Sequence, residues 1–152
     1  MQQRLLSVGD DSWIEDDQGQ RAYLVDGKAL RVRDTWELKD MAGNTVAEIK
    51  ERKLSVRDAM TIDLGDRKAV VKKAVVGLRD RFHIDVDDGD DLKAHGNIVD
   101  HEYEIEGSHG TVGKVSKAWF RVRDTYGVEV EEGIDPALVL AITVAIDGMT
   151  RG

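Results

Sequence analysis

Three groups of residues have the types and spacing to do chemistry. The segment "RKAVVKKAVVGLRDR" carries Arg67, Lys68, Lys72, Lys73, Arg79 and Arg81 against one acid, Asp80, in a chain of formal net charge −8. Clustered Lys and Arg attract acidic lipid head groups. Lys68, Lys72, Lys73, Arg79 and Arg81 are therefore the candidate anion- or lipid-binding residues, the alternative being a solvated strand exterior. Side chains alternate faces along a strand, so Lys72 and Lys73 share a face only across a bulge. The second group is "DVDDGDDL", with Asp85, Asp87, Asp88, Asp90 and Asp91. It lacks the EF-hand order, in which Gly stands sixth and Glu twelfth; Gly89 is fifth from Asp85, and the segment reads as an acidic hairpin turn. The third group is the histidines, His83, His95, His101 and His109. No HExxH pair, Walker loop, dinucleotide glycine pattern or nucleophile elbow accompanies them. No metal, cofactor or catalytic residue is assigned from the sequence.

Composition narrows the classes. Charged residues make up 34% and hydrophobic ones 41% of 152 residues, a globular profile with length enough for a real core. The absence of cysteine excludes disulfides, thiolate nucleophiles and Cys-based zinc sites, and agrees with a reducing, cytoplasmic location. The start, "MQQRLLSVGDDSW", has no apolar run of signal-peptide length. The longest apolar run, residues 137–146, is about half of what a bilayer-spanning helix needs. The acidic balance opposes nonspecific nucleic-acid binding.

An internal repeat supplies the elements that must position these groups. "RVRDT" occurs at residues 31–35 and again at 121–125, and Val56-Arg57-Asp58 and Leu78-Arg79-Asp80 are shorter copies. From each Val or Leu, an apolar residue stands four places on (Trp36, Met60, Phe82, Tyr126) and an aliphatic one six places on (Leu38, Ile62, Ile84, Val128). Weaker copies lead from Val99 to Tyr103 and Ile105, and from Val8 to Ser12 and Ile14. Residues at +4 and +6 share one face of a strand. A glycine-bearing turn follows each, at Gly19, Gly43, Gly65, Gly89, Gly110 and Gly133, then a return strand in every unit but the last. The units read as hairpins, with Asp34, Asp58, Asp80 and Asp124 at the bends between them and His101 at the same place in the fifth. Evenly spaced bends spread their arginines around the molecule rather than gathering them.

The segment "IDPALVLAITVAIDG" breaks the pattern. Asp135 is a good N-cap, Pro136 suits the first helical turn, and Ala137, Ala141 and Ala145 form one stripe. These predict a helix over about 135–147, stopped by Gly148; the β-branched residues leave a buried strand as the competing form. A helix apolar all round is buried all round. Eight strands make a barrel just filled by side chains and sixteen leave a channel, so about twelve strands call for a plug, and a helix about 10–12 Å wide is of that size. The expected fold is mainly β: a roughly twelve-stranded closed antiparallel barrel of successive hairpins around a buried C-terminal α-helix, one domain over residues 1–152.

The run "WIEDDQGQRAYLVDGKALRVRDTWELKDMAGNTVAEIKERKLSVRDAMTI", then "AVVKKA", then "YEIEGSHGTVGKVSK", then the apolar terminal helix, resembles the LURP-one-related proteins, which share the tubby C-terminal-like superfamily with tubby and the phospholipid scramblases. The resemblance implies the same helix-filled barrel. It associates the chain with lipid head groups but carries over no head-group residue set. The expected function is a non-catalytic binding or scaffold domain docking on anionic phospholipid or a protein partner, peripheral to any membrane, with no nucleic acid. The alternative is a small-ligand or metal-dependent enzyme using the His/Asp-rich region 83–109.

Overall fold

Alternation of exposed and buried residues governs the strands. In Arg81–Val86, residues 82, 84 and 86 are buried and 81, 83 and 85 exposed. That is the period of a sheet with one face on a core and one in water. The computed structural model describes residues 2–8, 11–16, 18–26, 35–54, 57–73, 81–87, 89, 91–98, 100–117 and 125–150. Twelve strands run in chain order: β1 (Gln2–Val8), β2 (Asp11–Glu15), β3 (Arg21–Asp26), β4 (Thr35–Asp40), β5 (Thr45–Leu54), β6 (Arg57–Asp63), β7 (Lys68–Lys73), β8 (Arg81–Val86), β9 (Leu92–Asn97), β10 (Glu102–Gly107), β11 (Gly110–Ser116) and β12 (Thr125–Val130). Each pairs antiparallel with its sequence neighbour, and β1 pairs with β12 to close the barrel. Closure leaves no unpaired edge.

The sixth repeat explains that closure. Its strand, β12, is followed at once by the turn into the helix, so it has no return strand of its own. β1 takes that place, with Gln2 opposite Glu129 and Leu6 opposite Thr125. Five complete hairpins, β12 and β1 make up the twelve strands. The turns repeat as well. The Asp16 carboxylate accepts backbone N–H bonds from Gln18 and Gln20, both at 2.9 Å. Asp40 does the same for Ala42 at 3.0 Å and Asn44 at 2.9 Å. Gly19 and Gly43 close these turns at φ 78° and 88°, backbone that L side chains rarely adopt.

Inside lies α1, Pro136–Thr150. Asp135 caps it: its carboxylate accepts the Ala137 N–H at 3.0 Å, while Arg67 reaches the same carboxylate at 3.3 Å. Val139, Ala141, Ile142 and Ala145 are fully shielded from water. The repeat's +4 and +6 residues share one core with the helix: Met60, Ile62, Phe82, Ile84, Tyr103 and Ile105 are all buried, as are Ile14, Leu38 and Val128. The helix leans mainly on β5 and β6. It also runs on through Gly148, which was expected to stop it. A side chain there would meet Trp36 and Met60 at about 3 Å, so Gly148 permits close approach instead of ending the helix.

One expected bend is displaced. Arg57 and Asp58 already belong to β6, paired with Leu54 and Lys53, because the β5–β6 ladder extends farther than its neighbours. Asp34, Asp80 and Asp124 lie outside the described residues. The fifth bend is as expected: the His101 N–H donates to the Ile98 carbonyl at 3.1 Å, and His101 sits at φ 54°.

Candidate functional site on the outer wall

Register decides which charged residues share a surface. Directly paired residues lie on one face, and faces alternate along each strand. Lys72 pairs with His83, and His83 pairs with Lys93, forming one cross-strand row on the outside. Arg81 pairs with His95 in a second row that continues through Glu104, Lys114 and Glu129. Lys68 lies on the same outer face of β7, two alternations from Lys72. The outer side of β7–β9 thus presents Lys68, Lys72, Arg81 and Lys93, two histidines, and one carboxylate, Asp85. Lys72 donates to Asp85 at 2.9 Å, an exposed pair of small energetic weight. The acidic turn is at the Lys68 end, where the Asp87 N–H donates to the Lys68 carbonyl at 2.9 Å. Positive character therefore centres on Lys72, Lys93 and Arg81.

The linear basic stretch does not form one patch. Lys73 pairs with the fully buried Phe82, so it points to the barrel side of β7, and no bulge brings it beside Lys72. Arg67 is drawn to the helix cap. Arg79 lies outside the described residues. In exchange, His83 and Lys93 join Lys72, two residues that the local sequence did not associate with it.

The histidines separate too. His95 faces out, its Nε2 3.1 Å from Glu106 Oε1. His101 turns the other way, its Nδ1 3.3 Å from Asp147 Oδ1 near the end of α1. His109 is exposed in the β10–β11 turn. His95 and His101 therefore do not converge on one pocket.

Beside His101 lies the buried Tyr103. Its hydroxyl has no well-formed hydrogen bond among the described residues; the nearby Thr143 hydroxyl donates to the Val139 carbonyl at 2.9 Å. Burial, and then the Asp147 carboxylate, push the phenol's pKa far up, with Thr143 pulling weakly the other way. A Tyr103→Phe variant is expected to unfold in urea at neutral pH with unchanged stability or a gain of about 1 kcal/mol, since a buried hydroxyl without a partner costs free energy. The alkaline limb is the sharper measurement. The phenol ionises near its ordinary value of 10.0 in the unfolded chain and much higher in the folded one. Its contribution is complete below pH 10 and declines above it. Wild type should lose about 1.4 kcal/mol per pH unit relative to Tyr103→Phe there. Parallel alkaline limbs would show that the phenol is not held neutral by the fold.

Fold and surface together define a class: an antiparallel barrel closed on a C-terminal helix, its interior occupied by that helix. The chain belongs to the LURP-one-related family, whose model matches residues 1–147. It is 24% identical over 148 residues to the uncharacterized protein YxjI of Bacillus subtilis strain 168, covering 97% of this chain and 90% of that one. A solved X-ray structure of an Arabidopsis thaliana protein superposes with a TM-score of 0.65 at 17% identity, over 99% of this chain and 91% of the other. That likeness establishes the fold alone. Among the described residues no helix is long and apolar enough to cross a membrane.

Proposed function

We propose that the chain is a non-catalytic binding domain that docks on anionic phospholipid through the outer face of β7, β8 and β9. The observation that carries this reading is the cross-strand row Lys72–His83–Lys93 with Arg81 beside it, a cationic stripe on an acidic protein. The occupied interior supports a surface role, because α1 takes the space where a barrel would otherwise enclose a ligand. Attachment of this kind is peripheral and reversible. Each Lys or Arg near an anionic surface contributes about 1 kcal/mol, and the attraction fades over roughly 10 Å at 0.1 M ionic strength.

The test is co-sedimentation with phosphatidylserine-rich vesicles, with pure phosphatidylcholine vesicles as the neutral control. Wild type is expected in the pellet with the anionic vesicles at low salt and in the supernatant at 0.5 M salt, an ionic strength at which the screening length is only several ångströms. The triple variant Lys72→Gln, Arg81→Gln, Lys93→Gln should stay in the supernatant throughout with its thermal transition unchanged. Lys73→Gln should bind as wild type does. Equal sedimentation of wild type and triple variant, or none by wild type at low salt, would turn the reading toward a protein partner.

A further inference from the structure

We propose that His95, Glu104 and Glu106 form a binding site for a divalent transition metal of the zinc type. The site lies on the outer wall of β9 and β10. It stands independently of lipid docking, since its donors are not the cations of that stripe.

The strands bring these side chains together by register. Glu104 is the direct partner of His95 across the β9–β10 ladder, and Glu106 is two residues further along the same face. One ligand atom from each residue lies within 4.8 Å of the other two, and His95 Nε2 and Glu106 Oε1 are already 3.1 Å apart. Zinc bonds to nitrogen and oxygen are about 2.0–2.2 Å long, so tetrahedral donors stand roughly 3.4 Å from one another. Small rotations of the glutamates therefore close the set around an ion without moving the backbone. The backbone here is well fixed. Gly96, next to His95, lies at φ 132°, and a Cβ there would stand 2.7 Å from the Glu102 carbonyl oxygen and 2.9 Å from Tyr103 Cα. β9 and β10 are thus drawn unusually close beside the three donors.

The donor set selects the ion. An imidazole nitrogen with two carboxylates suits zinc and its neighbours in the first transition row, whereas calcium and magnesium take oxygen donors. Three protein donors leave a fourth position open to water or to a donor from a bound partner. The surroundings oppose binding in part: Arg81, Lys93 and Lys114 lie directly across from His95, Glu106 and Glu104. All three are exposed, and their long stems allow the charged ends to move into solvent.

Isothermal titration of the untagged chain with zinc chloride, in a buffer that does not chelate, tests the site. One ion per chain is expected, with no saturable uptake of magnesium or calcium under the same conditions. His95→Ala, and separately the double variant Glu104→Gln, Glu106→Gln, should weaken zinc binding by about tenfold or more, the scale on which even supporting residues of metal sites act. Neither should change metal-free thermal unfolding. His83→Ala and His109→Ala should bind as wild type does. Cobalt in place of zinc should give the visible absorption of a tetrahedral ion, and His95→Ala should abolish it. Failure of wild type to take up zinc saturably would overturn the proposal. So would binding that survives in the His95 and glutamate variants or that is lost in His83→Ala or His109→Ala.

Discussion

A chain ending before Asp135 is expected to show no cooperative unfolding transition. α1 contributes Leu138, Val139, Leu140, Ala141, Ile142, Val144, Ala145 and Ile146 to the core, each no more than 7% exposed. Their partners are the inward residues of the wall, including Ile49, Ile62, Val71, Ile105 and Val128. Without the helix those residues face a void or water. Cutting one buried Leu or Ile to Ala costs about 2–5 kcal/mol, and a domain of this kind holds only about 5–15 kcal/mol in total. Loss of the whole helix exceeds that margin. Circular dichroism during heating should show a gradual drift instead of a sigmoid, and the truncated chain should aggregate. Ile142→Ala in the full chain gives the graded version, a loss of about 2–5 kcal/mol in urea unfolding. A truncated chain that stayed monomeric and melted sharply would show that the barrel does not need its core helix.

The second large effect belongs to Gly96→Ala, with an expected loss of about 2–4 kcal/mol. Two costs combine. A φ of 132° is backbone that L side chains avoid, at roughly 1–3 kcal/mol. The new methyl also meets main-chain atoms of Glu102 and Tyr103 below 3.0 Å, and these cannot yield without separating β9 from β10. Gly65→Ala is the control. Its φ of 92° is also left-handed, but nothing lies within 4 Å of the added methyl, so its cost should be only the conformational part, about 1–2 kcal/mol. Equal losses at the two positions would mean that the close strand approach contributes nothing.

Most of the wall was legible because each hairpin carries its own signal. Phe82 and Ile84, or Tyr103 and Ile105, mark a strand's inner face by spacing alone, and Asp135 with Pro136 marks the helix start. β1 was not legible. "QQRLLSV" lacks the repeat's spacing, and its place depends on a partner at the other end of the chain. The end of α1 was misplaced because glycine at a close contact and glycine at a helix stop read alike in sequence. The candidate surfaces were the least legible. Lys68, Lys72, Lys73 and Arg81 form a run along the chain, but alternation sends Lys73 inward while register brings in His83 and Lys93. His95, Glu104 and Glu106 meet only once the hairpin register is known, and no local spacing encodes that.

The position of α1 after all twelve strands has a consequence for how the protein is made. A ribosome delivers the twelve strands before the element they wrap around. During synthesis, β2 to β11 can pair as neighbouring hairpins, but their inner faces have nothing to cover them until residues 136–150 emerge. Pairing of β1 with β12 must also wait, with well over a hundred residues between them. Contacts of such long range slow folding, and incomplete sheets expose apolar surface while they wait. Until α1 has emerged, the nascent chain is therefore an uncovered sheet, dependent on whatever shields it.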